Sequence, residues 1–248
     1  MGSKQAVGID IGSRTVKIVE LADGVPVRQE LMETGVEPIQ RSLKLLGNAD
    51  PKAITATGYG RHLLSQEIGC DTVSEIKAFA VGAWQQIPGC RTVIDIGGQD
   101  CKVIRVEAGR VGEFSMNDRC AAGTGRFLEM MARSLDYTLQ QFCQAAMEAE
   151  YGAEINSMCT VFAESEVISL IARGEDPKRI ALGLHQSIVA RIGAQVGSIG
   201  WEAPVVLAGG GALSRCLRSL LAARLGTKLI VSDYPQFTGA LGAALTRV

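Results

Sequence analysis

The sequence predicts an α/β protein with two similar lobes, and three observations lead to that prediction. A pattern of apolar strand, Asp, Ile, Gly, turn and second strand occurs twice, about 85 residues apart. The chain beyond the second copy shows mainly helix-type apolar spacing. A triple glycine near the carboxyl end follows another apolar strand. We therefore expect two α/β lobes whose glycine turns face each other.

The first lobe is predicted to comprise residues 1–85 and about 232–248, and the second about 86–231. Apolar runs and alternation predict strands at residues 6–11, 15–21, 25–31, 53–57, 92–96, 101–106, 204–208 and 228–231. The strand at 25–31 is expected to pair with its predecessor in a hairpin or meander. Helix-type spacing predicts helices at residues 39–46, 125–135, 138–148, 161–173, 177–199, 213–225 and 238–246.

The composition excludes several classes of function. The net charge of −1 gives no sign of a nucleic-acid or anionic-membrane partner. No apolar run approaches the roughly 18 residues of a membrane span, and no signal segment is evident, so we expect a cytoplasmic protein. The seven cysteines are odd in number and lack CxxC spacing, which argues against a disulfide framework or a zinc knuckle. Only two histidines are available for metal or triad chemistry.

Three glycine-rich turns are candidate phosphate-binding loops. Glycine permits the backbone angles and the close approach that a cradle of N–H groups around phosphate needs. The first turn supplies Gly12, Ser13, Arg14, Thr15 and Lys17, the second supplies Gly97, Gly98 and Gln99, and the third supplies Gly209, Gly210, Gly211 and Ala212. The third turn is expected to open a helix whose start can face phosphate or ribose.

Asp10 and Asp95 end the strands that enter the first two turns. A carboxylate at such a place suits Mg²⁺, which usually keeps much of its water shell. One carboxylate could instead orient the attacking water. We take Asp10, Asp95 and Gln99 as the candidate catalytic residues.

An isolated Asp-x-Gly turn is more often an ordinary β-turn, and the sequence has neither a Walker A pattern nor GxGxxG. Two matched turns and a triple glycine in order favour a nucleotide site. This set resembles the phosphate-1, phosphate-2 and adenosine motifs of the actin/Hsp70/sugar-kinase superfamily, over nearly the whole chain. The resemblance implies duplicated ribonuclease H-like lobes with ATP or ADP between them.

Cys120 and Cys159 differ from the other cysteines because each stands at the predicted start of a helix. Helix dipoles and free N–H groups stabilise a thiolate or an anionic iron–sulfur cluster there. Buried core cysteines remain the alternative. Two thiolates from one chain do not complete a four-cysteine cluster, but two chains in a symmetric dimer would.

The segments 10–13 (Asp-Ile-Gly-Ser), 95–100 (Asp-Ile-Gly-Gly-Gln-Asp), 119–129 (Arg-Cys-Ala-Ala-Gly-Thr-Gly-Arg-Phe-Leu-Glu), 159–167 (Cys-Thr-Val-Phe-Ala-Glu-Ser-Glu-Val) and 209–212 together resemble one branch of that superfamily. This branch is the ATPase activator of 2-hydroxyacyl-CoA dehydratases, a family shared with benzoyl-CoA reductase ATPase subunits. The resemblance implies a homodimer bridged by one [4Fe-4S] cluster, whose ligands map onto Cys120 and Cys159. It also implies ATP hydrolysis that drives a low-potential electron from reduced ferredoxin or flavodoxin into a partner iron–sulfur dehydratase or reductase.

Other interpretations stay open at this stage. A small-molecule kinase shares the fold, but no further Asp suggests a base for a substrate hydroxyl. An actin-like scaffold also shares the opening segment, residues 7–21, but has no use for paired cysteines. Glu164 and Glu166 could report the nucleotide state to the cluster helix or could form a solvated helix face. The remaining cysteines, Cys70, Cys90, Cys101, Cys143 and Cys216, are expected to be structural.

Overall fold

The computed structural model describes residues 5–117, 121–156 and 160–247, and leaves the side chain of Val161 undescribed. Cys120 and Cys159 therefore lie outside the described residues. The described chain forms two five-stranded sheets with helices between and outside them. None of the helices in this part combines the length and apolar character that a membrane crossing requires.

The first sheet has the order β3-β2-β1-β4-β5. Its strands are β1 (Gln5–Ile11), β2 (Thr15–Ala22), β3 (Val25–Glu33), β4 (Ile54–Gly58) and β5 (Asp71–Thr72). The first three strands are antiparallel neighbours, which confirms the predicted hairpin, and β4 runs parallel to β1. Helices α1 (Pro38–Leu46) and α2 (Arg61–Ile68) cover one face.

The second sheet has the order β10-β9-β6-β7-β8, which repeats the first one strand for strand. Its strands are β6 (Thr92–Ile96), β7 (Cys101–Glu107), β8 (Arg110–Asn117), β9 (Val205–Ala208) and β10 (Leu229–Ile230). The outer face packs against α4 (Gly125–Ser134), α5 (Leu139–Glu148), α6 (Thr160–Ala172), α7 (Pro177–Ile199) and α8 (Arg215–Leu225). The repeat predicted from two short segments therefore extends to a whole sheet.

Helices α3 (Glu75–Gln86) and α9 (Thr238–Leu245) form the layer between the sheets. Alternate residues of each sheet face this layer. Ala6, Val19 and Leu21 of the first sheet pack against α9. Val93 and Val206 of the second sheet pack against α3. The predicted two-lobed α/β architecture is thus confirmed, with helices shared at the contact between the lobes.

Three short 3₁₀ helices, Pro51–Ala53, Gly210–Leu213 and Pro235–Phe237, complete the described elements. The second of them corrects the prediction for the triple-glycine turn. That turn enters a 3₁₀ helix, and α8 begins only at Arg215, after the N-cap Ser214. Ser214 accepts the Leu217 N–H with its hydroxyl, which fixes the later start.

Candidate nucleotide-binding site

A cavity of about 630 Å³ opens between the two sheets at the ends of β1, β6 and β9. Most of the predicted residues line it: Asp10, Gly12, Ser13, Arg14, Thr15, Lys17, Asp95, Gly97, Gly98, Gly209, Gly210 and Gly211. Two of the residues predicted for the nucleotide site do not line this cavity. Gln99 is exposed outside the lining, and Ala212 is buried behind it.

The wall on the first sheet carries an aspartate–lysine pair. Asp10 and Lys17 are cross-strand partners in the β1–β2 ladder, so the sheet register places them side by side. Lys17 Nζ donates to Asp10 Oδ2 at 3.0 Å, and only 4% of the Asp10 side chain is exposed. Gly12 N–H donates to the Thr15 carbonyl, which closes the turn between them.

The opposite wall carries the equivalent pair with two more carboxylates. Asp95 and Lys102 are cross-strand partners in the β6–β7 ladder. Lys102 Nζ lies 3.1 Å from Asp95, 2.7 Å from Asp100 and 3.3 Å from Glu75. Only 2% of the Lys102 side chain is exposed. One ammonium group thus holds three carboxylates at the cavity wall.

Burial and crowding shift the pKa values of this group. Burial raises the pKa of Asp95 to about 6, although Lys102 opposes the shift. Burial also raises the pKa of Glu75 to about 7. Burial alone would lower the pKa of Lys102, but the carboxylates of Asp95, Glu75 and Asp100 outweigh it and hold that pKa well above its usual range. The lysine therefore stays charged, and Glu75 titrates near neutral pH.

Glu75 and Asp100 were not among the site residues predicted from the sequence. Glu75 comes from α3, which lies far from either phosphate turn in sequence, so no local pattern marks it. Asp100 had a signal in the sequence, because it ends the Asp-Ile-Gly-Gly-Gln-Asp segment at residues 95–100. In the structure, its carbonyl closes the second turn by accepting a hydrogen bond from the Gly97 N–H. The same turn directs Gln99 outward and Asp100 toward Lys102.

A fourth glycine turn pairs with the third and was also missed. Gly58 is the last residue of β4 and has a φ of +86°, and Gly209 follows β9 with a φ of +78°. A Cβ on Gly58 would lie 2.7 Å from Asp10 Oδ1, and a Cβ on Gly209 would lie 2.2 Å from Asp95 Oδ1. Only glycine leaves room for each carboxylate in this backbone conformation. The repeat of Gly-x-Gly at residues 58–60 and 209–211 was the available signal.

Helix α5 forms another wall of the cavity, which carries no charged side chain from that helix. It contributes Leu139, Phe142, Cys143 and Met147 with the two glutamines Gln140 and Gln144, and His185 of α7 also lines the cavity. The Phe142 and His185 rings are 4.6 Å apart. Burial lowers the pKa of His185, so this imidazole is neutral near pH 7. A wall of apolar side chains and uncharged polar groups suits a nucleoside better than phosphates.

Cys143 connects this wall to the start of α8. Its Sγ accepts the Cys216 N–H at 3.4 Å and lies 3.7 Å from the Ser214 hydroxyl. Ser214 and Arg215 also line the cavity. The first turn of α8 therefore directs backbone N–H groups toward the same region as α5.

The two phosphate turns both contact α4. Gly125 N–H donates to the Gly97 carbonyl at 2.9 Å, and Arg126 N–H donates to the Gly98 carbonyl at 2.8 Å. Arg14 of the first turn pairs with Glu129 of the same helix. A helix of the second lobe is thus joined to both turns.

The predicted cluster ligands, Cys120 and Cys159, cannot be placed because they lie outside the described residues. They precede α4 and α6 in sequence, and these two helices pack against each other. Among the described cysteines, burial raises the thiol pKa of Cys70, of Cys90 to about 11, of Cys101, and of Cys216 to about 12. High thiol pKa values disfavour the thiolate that an iron ligand requires.

The described residues contain no group of three or more His, Cys, Asp or Glu side chains arranged to hold a metal ion. Mg²⁺ needs fewer protein ligands because it keeps several waters. Asp95 Oδ1 is buried at the cavity wall and has no hydrogen-bond partner among the described residues. A water of a hydrated Mg²⁺ ion fits such an oxygen. Glu164 and Glu166 do not line the cavity, and Glu166 accepts the Asn156 N–H.

Comparisons with known proteins agree with this geometry. The sequence profile of the BadF/BadG/BcrA/BcrD ATPase family matches residues 7–246. The activator of lactoyl-CoA dehydratase from Anaerotignum propionicum is 43% identical over 249 residues, which cover 96% of this chain and 95% of that protein.

Two solved structures superpose closely. Component A of the Acidaminococcus fermentans (R)-2-hydroxyglutaryl-CoA dehydratase aligns with a TM-score of 0.91 and 39% identity, over 98% of this chain and 97% of that one. The Clostridium difficile activator of 2-hydroxyisocaproyl-CoA dehydratase, solved with bound ADPNP, aligns with a TM-score of 0.89 and 40% identity, over 98% and 93%. The predicted actin-like ATPase fold is confirmed.

Proposed function

Because the chain belongs to the BadF/BadG/BcrA/BcrD ATPase family, we propose that it is the ATP-driven activator of a 2-hydroxyacyl-CoA dehydratase. The observation that carries this proposal is the connection between the cavity and α4. Both phosphate turns contact that helix, which begins five residues after Cys120. A change at the nucleotide would thereby reach the segment with the predicted cluster ligand.

The phosphates of ATP or ADP are proposed to lie between the turns at Gly12–Lys17 and Gly97–Gly98, with Arg14 and Lys17 as the cations of the first turn. The nucleoside would lie against α5 and the glycines at 209–211. The lining of the cavity supports this orientation, because the pairs Asp10–Lys17 and Asp95–Lys102 lie beside the two phosphate turns, whereas α5 contributes Leu139 and Phe142.

Asp10 and Asp95 are proposed to hold a hydrated Mg²⁺ ion and to orient the attacking water. Their burial, and the unpartnered Oδ1 of Asp95, support this role. When bound, Mg²⁺ would neutralise charge on the phosphates. Gln99 remains a candidate for orienting water, which requires its side chain to turn from the surface into the cavity. Asp100 is placed to help Lys102 keep its position.

Cys120 and Cys159 are proposed to ligate one [4Fe-4S] cluster shared by two copies of the chain. The raised thiol pKa values of Cys90, Cys101 and Cys216 support this choice, because burial disfavours the thiolate form at those three sites. When bound, the cluster would carry the single electron that passes to the partner. Reduced ferredoxin or flavodoxin is the proposed electron donor, and the cytoplasm is the proposed location.

We also propose that the first lobe comprises residues 1–85 and about 232–248, and the second about 86–231. The separate cores against the outer faces of the sheets support it. Relative movement of these lobes would carry the change in nucleotide state to α4.

The experiment is anaerobic purification followed by iron analysis and an electron-transfer assay. We expect about two iron atoms per chain, as a four-iron cluster shared by two chains requires. With dithionite and ATP, the protein should activate a purified 2-hydroxyacyl-CoA dehydratase, and ADP should not replace ATP. Colourless, iron-free protein under strict anaerobic conditions would refute the proposal.

Cysteine variants sharpen this test. Cys120→Ser and Cys159→Ser should each abolish bound iron, whereas Cys70→Ser, at a buried site in the first lobe, should retain it. Iron that persists in either of the first two variants would contradict the ligand assignment.

The second candidate function is the activation of a different electron acceptor. A benzoyl-CoA reductase-type complex or a double-cluster reductase would take electrons from the same cluster. Activation of one of these acceptors and of no dehydratase would favour that alternative. An actin-like scaffold would instead assemble into filaments with ATP and bind no iron, which sedimentation and iron analysis distinguish.

A further inference from the structure

Arg14 reaches from the first phosphate turn to helix α4 of the other lobe. Its guanidinium group forms a two-pronged ion pair with Glu129, with Nε 3.1 Å from Oε1 and Nη2 2.9 Å from Oε2. This geometry fixes both side chains more firmly than a single contact would. Both residues line the cavity, and 43% of the Arg14 side chain is exposed. The pair is therefore accessible to a ligand in the cavity.

The position of Arg14 also depends on the second turn. A Cβ on Gly98 would lie 2.5 Å from Arg14 Cγ, so the arginine stem lies directly on that glycine. The carbonyl of Gly98 accepts the Arg126 N–H of α4. Arg14, Gly98 and α4 thus form one continuous contact between the nucleotide turns and the helix.

A nucleotide phosphate competes with Glu129 for the same guanidinium group. Arginine binds phosphate with the same two-pronged geometry as carboxylate, and a phosphate carries more negative charge. Glu129 would not be left without a cation, because Arg126 Nη1 already lies 3.5 Å from Oε2. Arg14 can therefore leave Glu129 for a phosphate while Glu129 keeps a cation beside it.

We propose that Arg14 and Glu129 form a latch that holds α4 in the nucleotide-free protein and that a nucleotide phosphate releases by taking Arg14 as its partner. Glu129 is a positioning residue in this scheme, because it acts through Arg14. The inference rests on the proposed function, in which release of α4 alters the segment that carries Cys120.

The first test measures nucleotide affinity in a Glu129→Gln variant by titration calorimetry with ADPNP and Mg²⁺. Removing the competing carboxylate should tighten binding by about threefold to tenfold, as expected for a partly exposed ion pair. General damage to the fold would weaken binding instead. Glu175→Gln is the matched control, because it removes an ion pair with Arg179 outside the cavity and should leave the affinity unchanged.

The second test measures hydrogen exchange in residues 125–134. ADPNP should accelerate exchange in the wild-type helix, and Glu129→Gln should show faster exchange without nucleotide. Glu129→Asp, which keeps the charge on a shorter side chain, should fall between the two. Unchanged affinity in Glu129→Gln, or exchange in α4 that responds to neither the substitution nor the nucleotide, would overturn the latch.

The outcomes separate this inference from the proposed function. Tighter binding and faster exchange in a protein without a cluster would support the latch and refute the electron-transfer proposal. A working activator whose nucleotide affinity is the same with Glu129 or Gln at this position would refute the latch alone.

Discussion

Gly82 of α3 and Gly242 of α9 face each other where the two helices cross between the sheets. A Cβ on Gly82 would lie 2.0 Å from the Thr238 carbonyl oxygen, and a Cβ on Gly242 would lie 1.7 Å from the Ala78 carbonyl oxygen. Because each glycine lacks a side chain, the backbone of the other helix can approach it closely. The carbonyl that it meets belongs to the residue one helical turn before the other glycine. The two contacts are therefore equivalent: each joins a glycine of one helix to a carbonyl oxygen of the other.

Replacing Gly82 with Ala should destabilise the protein by about 1 to 3 kcal/mol, because the added methyl group must push backbone apart in a packed interior. Urea unfolding measures the change. Gly197→Ala is the matched control, since that helical glycine has open space around its missing Cβ. The control should be neutral or gain about 0.5 to 1 kcal/mol from helix propensity. Equal effects of the two substitutions would contradict the close crossing.

Replacing Lys102 with Met should destabilise the nucleotide-free protein more than replacing Lys17 with Met. Lys102 is the cation for three carboxylates in a buried site, whereas Lys17 pairs with Asp10 alone. Loss of one partner from a buried ion pair costs about 3 to 5 kcal/mol. Urea unfolding of both variants at pH 7 makes the comparison, and a larger loss for the Lys17 variant would count against the described network.

Stability without nucleotide or Mg²⁺ should fall as pH rises from 6 to 8. The pKa of Glu75 is about 7 in the fold and near 4.3 in an unfolded chain, so the folded state binds more protons in this interval. Integrating between these values gives a loss of about 1 kcal/mol from pH 6 to 8.

Glu75→Gln should remove most of that slope, as measured by urea unfolding at several pH values. Glu148→Gln is the control, because the pKa of Glu148 is lowered by Lys178 and this carboxyl is ionised throughout the interval in both states. A wild-type slope that survives in the Glu75 variant would show that another group holds the proton.

Nucleotide should protect Cys143 from alkylation. This thiol is partly exposed on the apolar wall, whereas Cys70, Cys90 and Cys216 are buried. Iodoacetamide labelling with peptide mass mapping should modify Cys143 in the nucleotide-free protein and much less with ADPNP and Mg²⁺. The buried cysteines serve as internal controls and should stay unmodified in both. Equal labelling of Cys143 with and without nucleotide would place the nucleoside elsewhere.

The sequence predicts those parts of the fold whose pattern is local. The segment 177–199 is predicted with the bounds that α7 has, because its helix-type apolar spacing continues throughout. The structure adds that Asp176 is the N-cap and that Pro177 occupies the first turn. The β1–β2 and β6–β7 pairs were found because Asp, Gly and Lys recur at the same spacing in both.

Elements that depend on distant partners were missed. Helix α3 begins with a recognisable N-cap, Ser74, but Gly82 interrupts its pattern, and that glycine is needed only because α9 crosses there. Strand β8 alternates weakly because it is an edge strand with mostly exposed side chains. The signal available in the sequence was Gly109. In the structure, Ala108 and Gly109 form the hairpin turn before β8, and both have positive φ.

The candidate site divides in the same way. Residues of the phosphate turns could be named because short motifs contain them. Glu75 could not, because only the packing of α3 against the second sheet brings it to Lys102. Gln99 and Asp100 differ by one position, and the direction of each side chain depends on the turn geometry that the sequence alone leaves open.

The layer formed by α3 and α9 has a consequence for synthesis of the chain. The inner face of the first sheet is covered by α9, which the ribosome makes only after the entire second sheet. Strands β1 to β4 therefore emerge with one apolar face uncovered, and this face stays uncovered until α9 has been made. Domains usually fold from the amino terminus as they appear. In this protein the first lobe instead cannot complete its core before the second sheet has been synthesised.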